Sequence, residues 1–182
     1  MGLDARIRYT KMVIKDALIS LLKEKSLNKI TVKSICDLAE INRATFYKYY
    51  SDPFDLLGKL EQEMLSQLQN SLKSSAKSFR DVFRLILINI QNNGENYRSL
   101  FSENGDSQFP ARIFELYYTH IAEDLREKFP QLSPIQREWL YSFTAQGCCG
   151  ILSRWISGGM KESVEDVSAF ADQLVTDTTK LI

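Results

Sequence analysis

The sequence predicts an all-α protein, with an N-terminal three-helix, helix-turn-helix domain ahead of a C-terminal helical bundle and about nine helices in total. Three observations carry that expectation. Apolar residues recur every three or four positions along most of the chain, Ser, Thr, Asn and Asp stand just ahead of those stretches, and no alternating run is long enough for a strand. With 182 residues, of which 44% are hydrophobic and 25% charged, the chain has apolar material for a substantial core.

The elements follow in order. Val13, Ile14, Ala17, Leu18, Leu21 and Leu22 mark a first helix, with Thr10 as its expected cap. Val32, Ile35, Cys36 and Ala39 mark a short second helix behind Thr31, whose side-chain oxygen can accept from first-turn amides. A third short helix is expected from Arg43 to about Tyr49 behind Asn42. Ser51-Asp52-Pro53 then offers a cap with proline at the first helical position, opening a long fourth helix carried by Leu57, Leu60, Met64, Leu68 and Leu72. Beyond Ser74-Ser75 the pattern restarts as a helix over 79–91, a turn over 92–96, a short helical piece over 97–101 and a polar loop over 104–108. A long helix is expected over 109–129, and a closing pair over 134–157 and 164 to about 181, separated by Gly158-Gly159 and restarted by Ser163.

Composition excludes several classes. Three cysteines, two of them adjacent, give no disulfide framework, and they read as buried thiols in a reducing compartment. No apolar run approaches a bilayer span and no leader pattern opens the chain, so a cytoplasmic protein is expected. His120 is the lone histidine and has no ligand-spaced Cys, Asp or Glu around it; no metal, no cofactor and no catalytic site are expected. The zero net charge conceals an asymmetry: residues 1–51 hold ten Lys and Arg against five acids, and residues 52–182 hold thirteen against eighteen. A basic head on an acidic body suits a chain whose head alone meets a polyanion.

The informative stretch is residues 30–50. Two short helices are separated only by Glu40, Ile41 and Asn42, and Ile35, Leu38 or Ala39, Ile41 and Phe46 can close a small core beneath them. Arg43, Thr45, Tyr47, Lys48 and Tyr49 then crowd seven residues, too polar for a core and too aromatic for an ordinary solvated face. A helix of this size fits the major groove of duplex DNA. Lys33, with Arg6, Arg8 and Lys11, is a candidate for contact with the phosphate backbone.

The run Ile30-Thr31-Val32, then Ile35 with Ala39, then Asn42-Arg43-Ala44-Thr45-Phe46-Tyr47-Lys48-Tyr49-Tyr50 followed by Leu56-Leu57, resembles the N-terminal domain of the TetR/AcrR family of bacterial transcriptional regulators. The resemblance implies that Thr31 holds a phosphate, that Arg43, Ala44 and Thr45 face the groove, and that Tyr47, Lys48 and Tyr49 brace or contact the backbone. It implies a sequence-specific regulator, by default a repressor, with residues 1–51 as the DNA-binding domain and 52–182 for effector binding and dimerisation. Two positions depart from the family pattern. Glu40 stands where glycine is frequent, so the turn is made without the residue that is cost-free in the left-handed region, or with modest strain, and Pro53 stands where a phosphate-contacting lysine is frequent. Asp52 and Asp55 on the same turn would repel phosphate, leaving only backbone amides at that end.

An effector is expected within residues 75–131, which are rich in aromatic residues (Phe79, Phe83, Tyr97, Phe101, Phe109, Phe114, Tyr117, Tyr118, Phe129), and a small hydrophobic or aromatic compound is favoured, with no side chain assigned to it. The closing pair is expected to form a homodimer interface as half of an intermolecular four-helix bundle. Trp139, Phe143, Gly147, Gly150 and Arg154 follow one stripe, Leu140, Cys148, Ile151 and Trp155 another, and Val167, Phe170 or Ala171, Leu174, Thr178 and Leu181 offer a complementary stripe on the last helix. Gly147 and Gly150 weaken a helix unless another backbone approaches closely, either from a second chain or from a neighbouring helix of the same one. A dimer would suit a palindromic operator. The alternatives are a regulator or activator controlled by a protein partner, or a helical interaction module that binds no DNA.

Overall fold

A computed structural model describes residues 3–72, 78–116 and 125–180. Among them stand nine α-helices, one 3-10 turn (Leu27–Lys29) and no strand. The helices are α1 (Leu3–Leu22), α2 (Val32–Leu38), α3 (Arg43–Tyr47), α4 (Pro53–Leu72), α5 (Phe79–Asn92), α6 (Gly94–Leu100), α7 (Phe109–Glu115), α8 (Pro134–Ser157) and α9 (Val164–Lys180). The chain divides into two compact units, Met1–Ser66 with Glu95–Ser107 and Gln67–Gly94 with Gln108–Ile182.

The first unit is built around α1. Ile14, Ala17, Leu18, Leu21 and Leu22 recur at helical spacing and are buried, along with Ile35 and Cys36 of α2, Phe46 of α3, and Leu56, Leu57, Leu60 and Met64 of α4. Thr10 does not cap α1. The helix starts at Leu3 with Asp4 in its first turn, where a carboxylate suits the dipole, and the Thr10 hydroxyl instead donates to the Arg6 carbonyl at 2.9 Å. Residues 95–107 close the far end of α1. Asn104 Nδ2 donates to the Leu22 carbonyl at 3.1 Å, Ser99 Oγ to the Ile19 carbonyl at 3.4 Å, and Lys23 pairs with Glu95. Carbonyls in the last turn of a helix have no partner within it, so these donors complete the end. Tyr97 and Leu100 are buried here, so Tyr97 and Phe101, two of the aromatics of the 75–131 stretch, fall in this unit. The expected turn over 92–96 shrinks to Asn93, because Gly94 already starts α6.

In the second unit Phe83, Ile86, Leu87 and Ile90 form a buried stripe on α5, which packs chiefly on α9 through Val164, Val167 and Ala171. An Arg84–Glu165 ion pair at 2.9 Å flanks that seam. Helix α7 packs on α8, and the Tyr141 hydroxyl donates to the Phe114 carbonyl at 3.1 Å. Helix α7 ends at Glu115 and residues 125–128 are helical; Tyr117, Tyr118, His120 and Ile121 of the expected long helix lie outside the described residues. Helix α8 opens on a reciprocal Ser133–Gln136 cap and closes on Gly158-Gly159. There Gly159 takes φ 91°, and the Met160 amide donates back to the Trp155 carbonyl at 2.8 Å. That left-handed step is the one a glycine makes without penalty. Among the described residues no helix is long and apolar enough to cross a membrane.

Candidate nucleic-acid interface

Local capping chemistry sets the two short helices. At the start of α2 the Thr31 side chain accepts from the Ser34 amide, and Ser34 Oγ accepts from the Thr31 amide, each at 3.1 Å. Each residue thereby satisfies an amide that the helix itself cannot. Thr31 is exposed at this end of α2 and Lys33 is exposed beside it. Ser34, which sequence reasoning left aside, is what orients the Thr31 hydroxyl; its place three residues after a threonine cap is the readable signal.

Helix α2 ends in the same geometry as α8, but with a side chain present. The Ile41 amide donates to the Cys36 carbonyl at 3.0 Å, and Glu40 takes φ 53°. The strain expected of a non-glycine residue in this turn is therefore present. Of the two residues proposed for the core here, Ala39 turns partly inward while Leu38 is 52% exposed. With Ile35 and Cys36 already inward on this helix, the position of Leu38 falls on the outer arc.

Helix α3 has a similar internal logic. Asn42 Oδ1 accepts from the Thr45 amide at 2.7 Å and from the Thr45 hydroxyl at 2.9 Å. Phe46 is fully buried and Tyr50 nearly so, their ring centroids 5.7 Å apart. Residues four apart share a helix face, so this anchor turns Arg43, Ala44, Tyr47 and Lys48 outward, and all four are exposed. Thr45 is half-buried at the base of that face. Tyr47 is 58% exposed, with only its ring edge meeting Phe46 at a centroid distance of 5.7 Å, so its hydroxyl is free of the core. The helix is shorter than expected and stops at Tyr47, with Lys48 as its C-cap.

Tyr49 is half-buried and sits between cations. Lys11 Nζ lies 5.6 Å from its ring centroid and Lys59 Nζ donates to its carbonyl at 3.0 Å. Lys59 also lies 5.4 Å from the Tyr50 ring and bonds Asp55 at 2.9 Å. Burial, with the charges of Glu63 and Asp55 behind it, pushes the Tyr50 phenol up to about 12, so it stays protonated. The two aspartates are spent on capping. Asp52 Oδ1 accepts from the Asp55 amide at 2.8 Å and Asp55 Oδ2 from the Ser51 amide at 2.9 Å. The Lys59 hydrogen bond, then the Ser51 amide, hold the Asp55 carboxyl below its ordinary range. Lys59 thus offsets charge at the end of the unit where the Pro53 departure removes a lysine.

Charge is distributed unevenly within this unit. The first unit as a whole carries twelve basic and twelve acidic residues, so the positive excess belongs to residues 1–51 alone. Within that stretch Lys15 is paired with Glu63 and Lys23 with Glu95. Arg6, Arg8, Lys33, Arg43 and Lys48 have no ion-pair partner among the described residues. The candidate residues Thr31, Lys33, Arg43, Ala44, Thr45, Tyr47, Lys48 and Tyr49 therefore lie on α2, α3 and the turn after it.

In the second unit, Trp139 is 64% exposed and Phe143 66%, and Gly147, Gly150 and Arg154 continue that exposed line along α8. Phe170 and Leu174 are exposed on α9 and Thr178 is half-buried. A Cβ at Gly147 or Gly150 would meet nothing of this chain within 4 Å. The other stripe of α8 is buried through Leu140, Cys148, Cys149, Leu152 and Trp155, with Ile151 half-buried. A cavity of about 340 Å³ opens beside that buried stripe, lined by Phe79, Val82, Phe114, Leu125 and Phe129, and by Tyr141, Thr144, Cys148, Asp172 and Thr176. The last five come from the helices expected to serve dimerisation, which is why the sequence concealed them.

The comparisons agree with this architecture. Residues 77–177, more than half of the chain, match the TetR family model described as transcriptional regulator C-terminal region. A curated relative, the uncharacterized HTH-type transcriptional regulator YxbF of Bacillus subtilis (strain 168), is 24% identical over 170 residues; the match takes in 90% of this chain but 44% of YxbF. The chain thus spans less than half the length of that relative. The solved structure of a TetR transcriptional regulator from Streptococcus agalactiae 2603V is similar over 94% of this chain and 96% of its own, at 26% identity and a TM-score of 0.70. The dihydroxyacetone kinase operon activator DhaS shares the fold at 20% identity and a TM-score of 0.62, over 95% of this chain and 97% of its own. The chain belongs to the TetR family of transcriptional regulators.

Proposed function

We propose that this chain is a sequence-specific DNA-binding repressor that acts as a homodimer in the cytoplasm and is released from its operator by a small effector. The observation that carries the reading is the outward row of Arg43, Ala44, Tyr47 and Lys48 on a short helix pinned from behind by Phe46 and Tyr50. Side chains so placed can reach base edges, with Thr31, Lys33 and Tyr49 left for phosphates. DNA binding is assigned to residues 1–51, and effector binding and dimerisation to 52–182.

Dimerisation is assigned to the exposed stripe from Trp139 to Arg154, with Phe170, Leu174 and Thr178. Large aromatics more than half exposed beside two glycines that meet nothing of their own chain support a second copy at that face. A two-fold pair supplies two copies of the reading surface, as a palindromic site requires. The cavity beside Tyr141 and Thr144 is assigned to the effector; its aromatic lining suits an apolar or aromatic compound. The sign of regulation depends on where the operator lies relative to the promoter, and the DhaS fold serves an operon activator. A reporter under the selected operator separates the two signs.

The test is selection of duplexes from a random pool, followed by titration at several salt concentrations. Lys48→Ala is expected to weaken all duplexes and to reduce the slope of log affinity against log salt by about one. Failure of the pool to enrich any duplex would return the chain to the reading of a helical interaction module.

A further inference from the structure

We propose that Thr45 reads the operator as a hydrogen-bond acceptor, offering its hydroxyl lone pairs to the exocyclic amino group of an adenine or cytosine in the major groove. This rests on the DNA-binding reading above. Asn42 Oδ1 receives both the Thr45 amide proton, at 2.7 Å, and the Thr45 hydroxyl, at 2.9 Å. A backbone amide can only donate, so the atom facing Thr45 is the amide oxygen of Asn42 and not its nitrogen. That oxygen can only accept, so the hydroxyl must donate to it. A hydroxyl has one proton and two lone pairs, and here the proton is already committed.

What remains outward at this position is two acceptor sites and the γ-methyl group. Phosphate oxygens, guanine O6, thymine O4 and the purine N7 atoms are all acceptors and would face like charge. The amino groups, adenine N6 and cytosine N4, are the donors on the floor of the major groove. Thr45 lies on the same helix as the exposed Arg43, whose guanidinium carries donors alone. The two residues thus ask for opposite partners, and the capping residue Asn42 fixes the polarity of one of them.

Every base pair shows an amino group on one strand, so a base preference by itself does not decide the matter. The experiment therefore deletes single functional groups. Duplex selection with the full-length wild type and Thr45→Val first locates the base pair at which preference is lost. At that pair the exocyclic amino group is then removed, using purine for adenine or 2-pyrimidinone for cytosine, and in separate duplexes an acceptor is removed, using 7-deazaadenine or 7-deazaguanine for N7, 2-aminopurine for guanine O6 and 5-methyl-2-pyrimidinone for thymine O4. Removing the amino group is expected to weaken the wild type about fivefold, the worth of one hydrogen bond, and to leave Thr45→Val unchanged. Thr45→Ser keeps the sensitivity. Asn42→Ala frees the hydroxyl proton and is expected to relax the preference at that pair alone, whereas Asn42→Asp retains the acceptor and the preference; circular dichroism checks that each variant is folded. Coupling of Thr45 to an acceptor group instead of the amino group overturns the proposal, and so does a uniform loss of affinity in Thr45→Val with no change at any base pair. Enrichment of no duplex by the wild type overturns the DNA-binding reading itself, and the proposal with it.

Discussion

Replacing Glu40 by glycine should stabilise the protein, although it removes a side chain and adds freedom to the unfolded chain. Glu40 closes α2 at φ 53°, in the left-handed region, where an L-residue is disfavoured by about 1–2 kcal/mol. Glycine avoids that cost but loses about 0.5–1 kcal/mol more backbone entropy on folding. The balance is a gain of up to about 1.5 kcal/mol, centred on about 0.75 kcal/mol. For the N-terminal unit the central value corresponds to a rise in Tm of about 3–6 °C. Because the chain has two compact units that need not unfold together, the measurement belongs on the transition of the N-terminal unit, followed by urea titration as well as by heating. Glu40→Ala is the control, since it removes the same carboxylate but keeps the left-handed strain. Asparagine, which tolerates this region, should fall between. The expected order of stability is glycine, then asparagine, then glutamate and alanine together. Equal stabilities of the glycine and alanine variants would refute the reasoning, because the effect would then belong to the charge and not to the backbone.

Gly150→Glu should leave helical content intact, because the added Cβ meets nothing of its own chain, and should yield monomers by sedimentation with loss of tight operator binding. An unpaired carboxylate buried at a two-fold seam costs about 3–5 kcal/mol, so dissociation should strengthen by more than a hundredfold; a variant that stays dimeric moves the interface elsewhere. Tyr47→Phe should melt with the wild type and bind operator about fivefold more weakly, since its hydroxyl is free of the core; unchanged affinity in a band-shift titration would leave that hydroxyl without a role in binding. Burial pushes the Cys148 thiol up to about 12 and Cys149 to about 11, so both stay protonated at pH 8. Iodoacetamide should label Cys149, which does not line the cavity, only at the rate of unfolding, by mass spectrometry; rapid labelling of Cys149 in the native protein would contradict its burial.

The helix-turn-helix was legible in the sequence because its determinants are local. A cap and the amides it serves are three residues apart, as Thr31 with Ser34 and Asn42 with Thr45 are, and the inward pair Phe46 and Tyr50 is one helical turn apart. Such spacings survive in one dimension, and they suffice to say which side of α3 is free. The left-handed turn at Glu40 was expected from the family resemblance, because glycine is frequent at that position. The start of α1 was not legible, because Thr10 has the chemistry of a cap and only the completed helix shows its hydroxyl turned back to Arg6.

What the tertiary structure alone decided is everything that depends on residues far apart in the chain. Tyr97 is more than seventy residues from α1, yet the segment that carries it is bound to the end of that helix through Ser99 and Asn104. Which cations of the basic head are already neutralised depends on Glu63 and Glu95, beyond any local window. The cavity draws its walls from helices separated by up to a hundred residues, and periodicity does not distinguish a stripe that lines a void from one that fills a core. Local hydrogen bonds fix a helix and its free face; the partners of that face, and the spaces left between helices, are fixed only when the chain closes on itself.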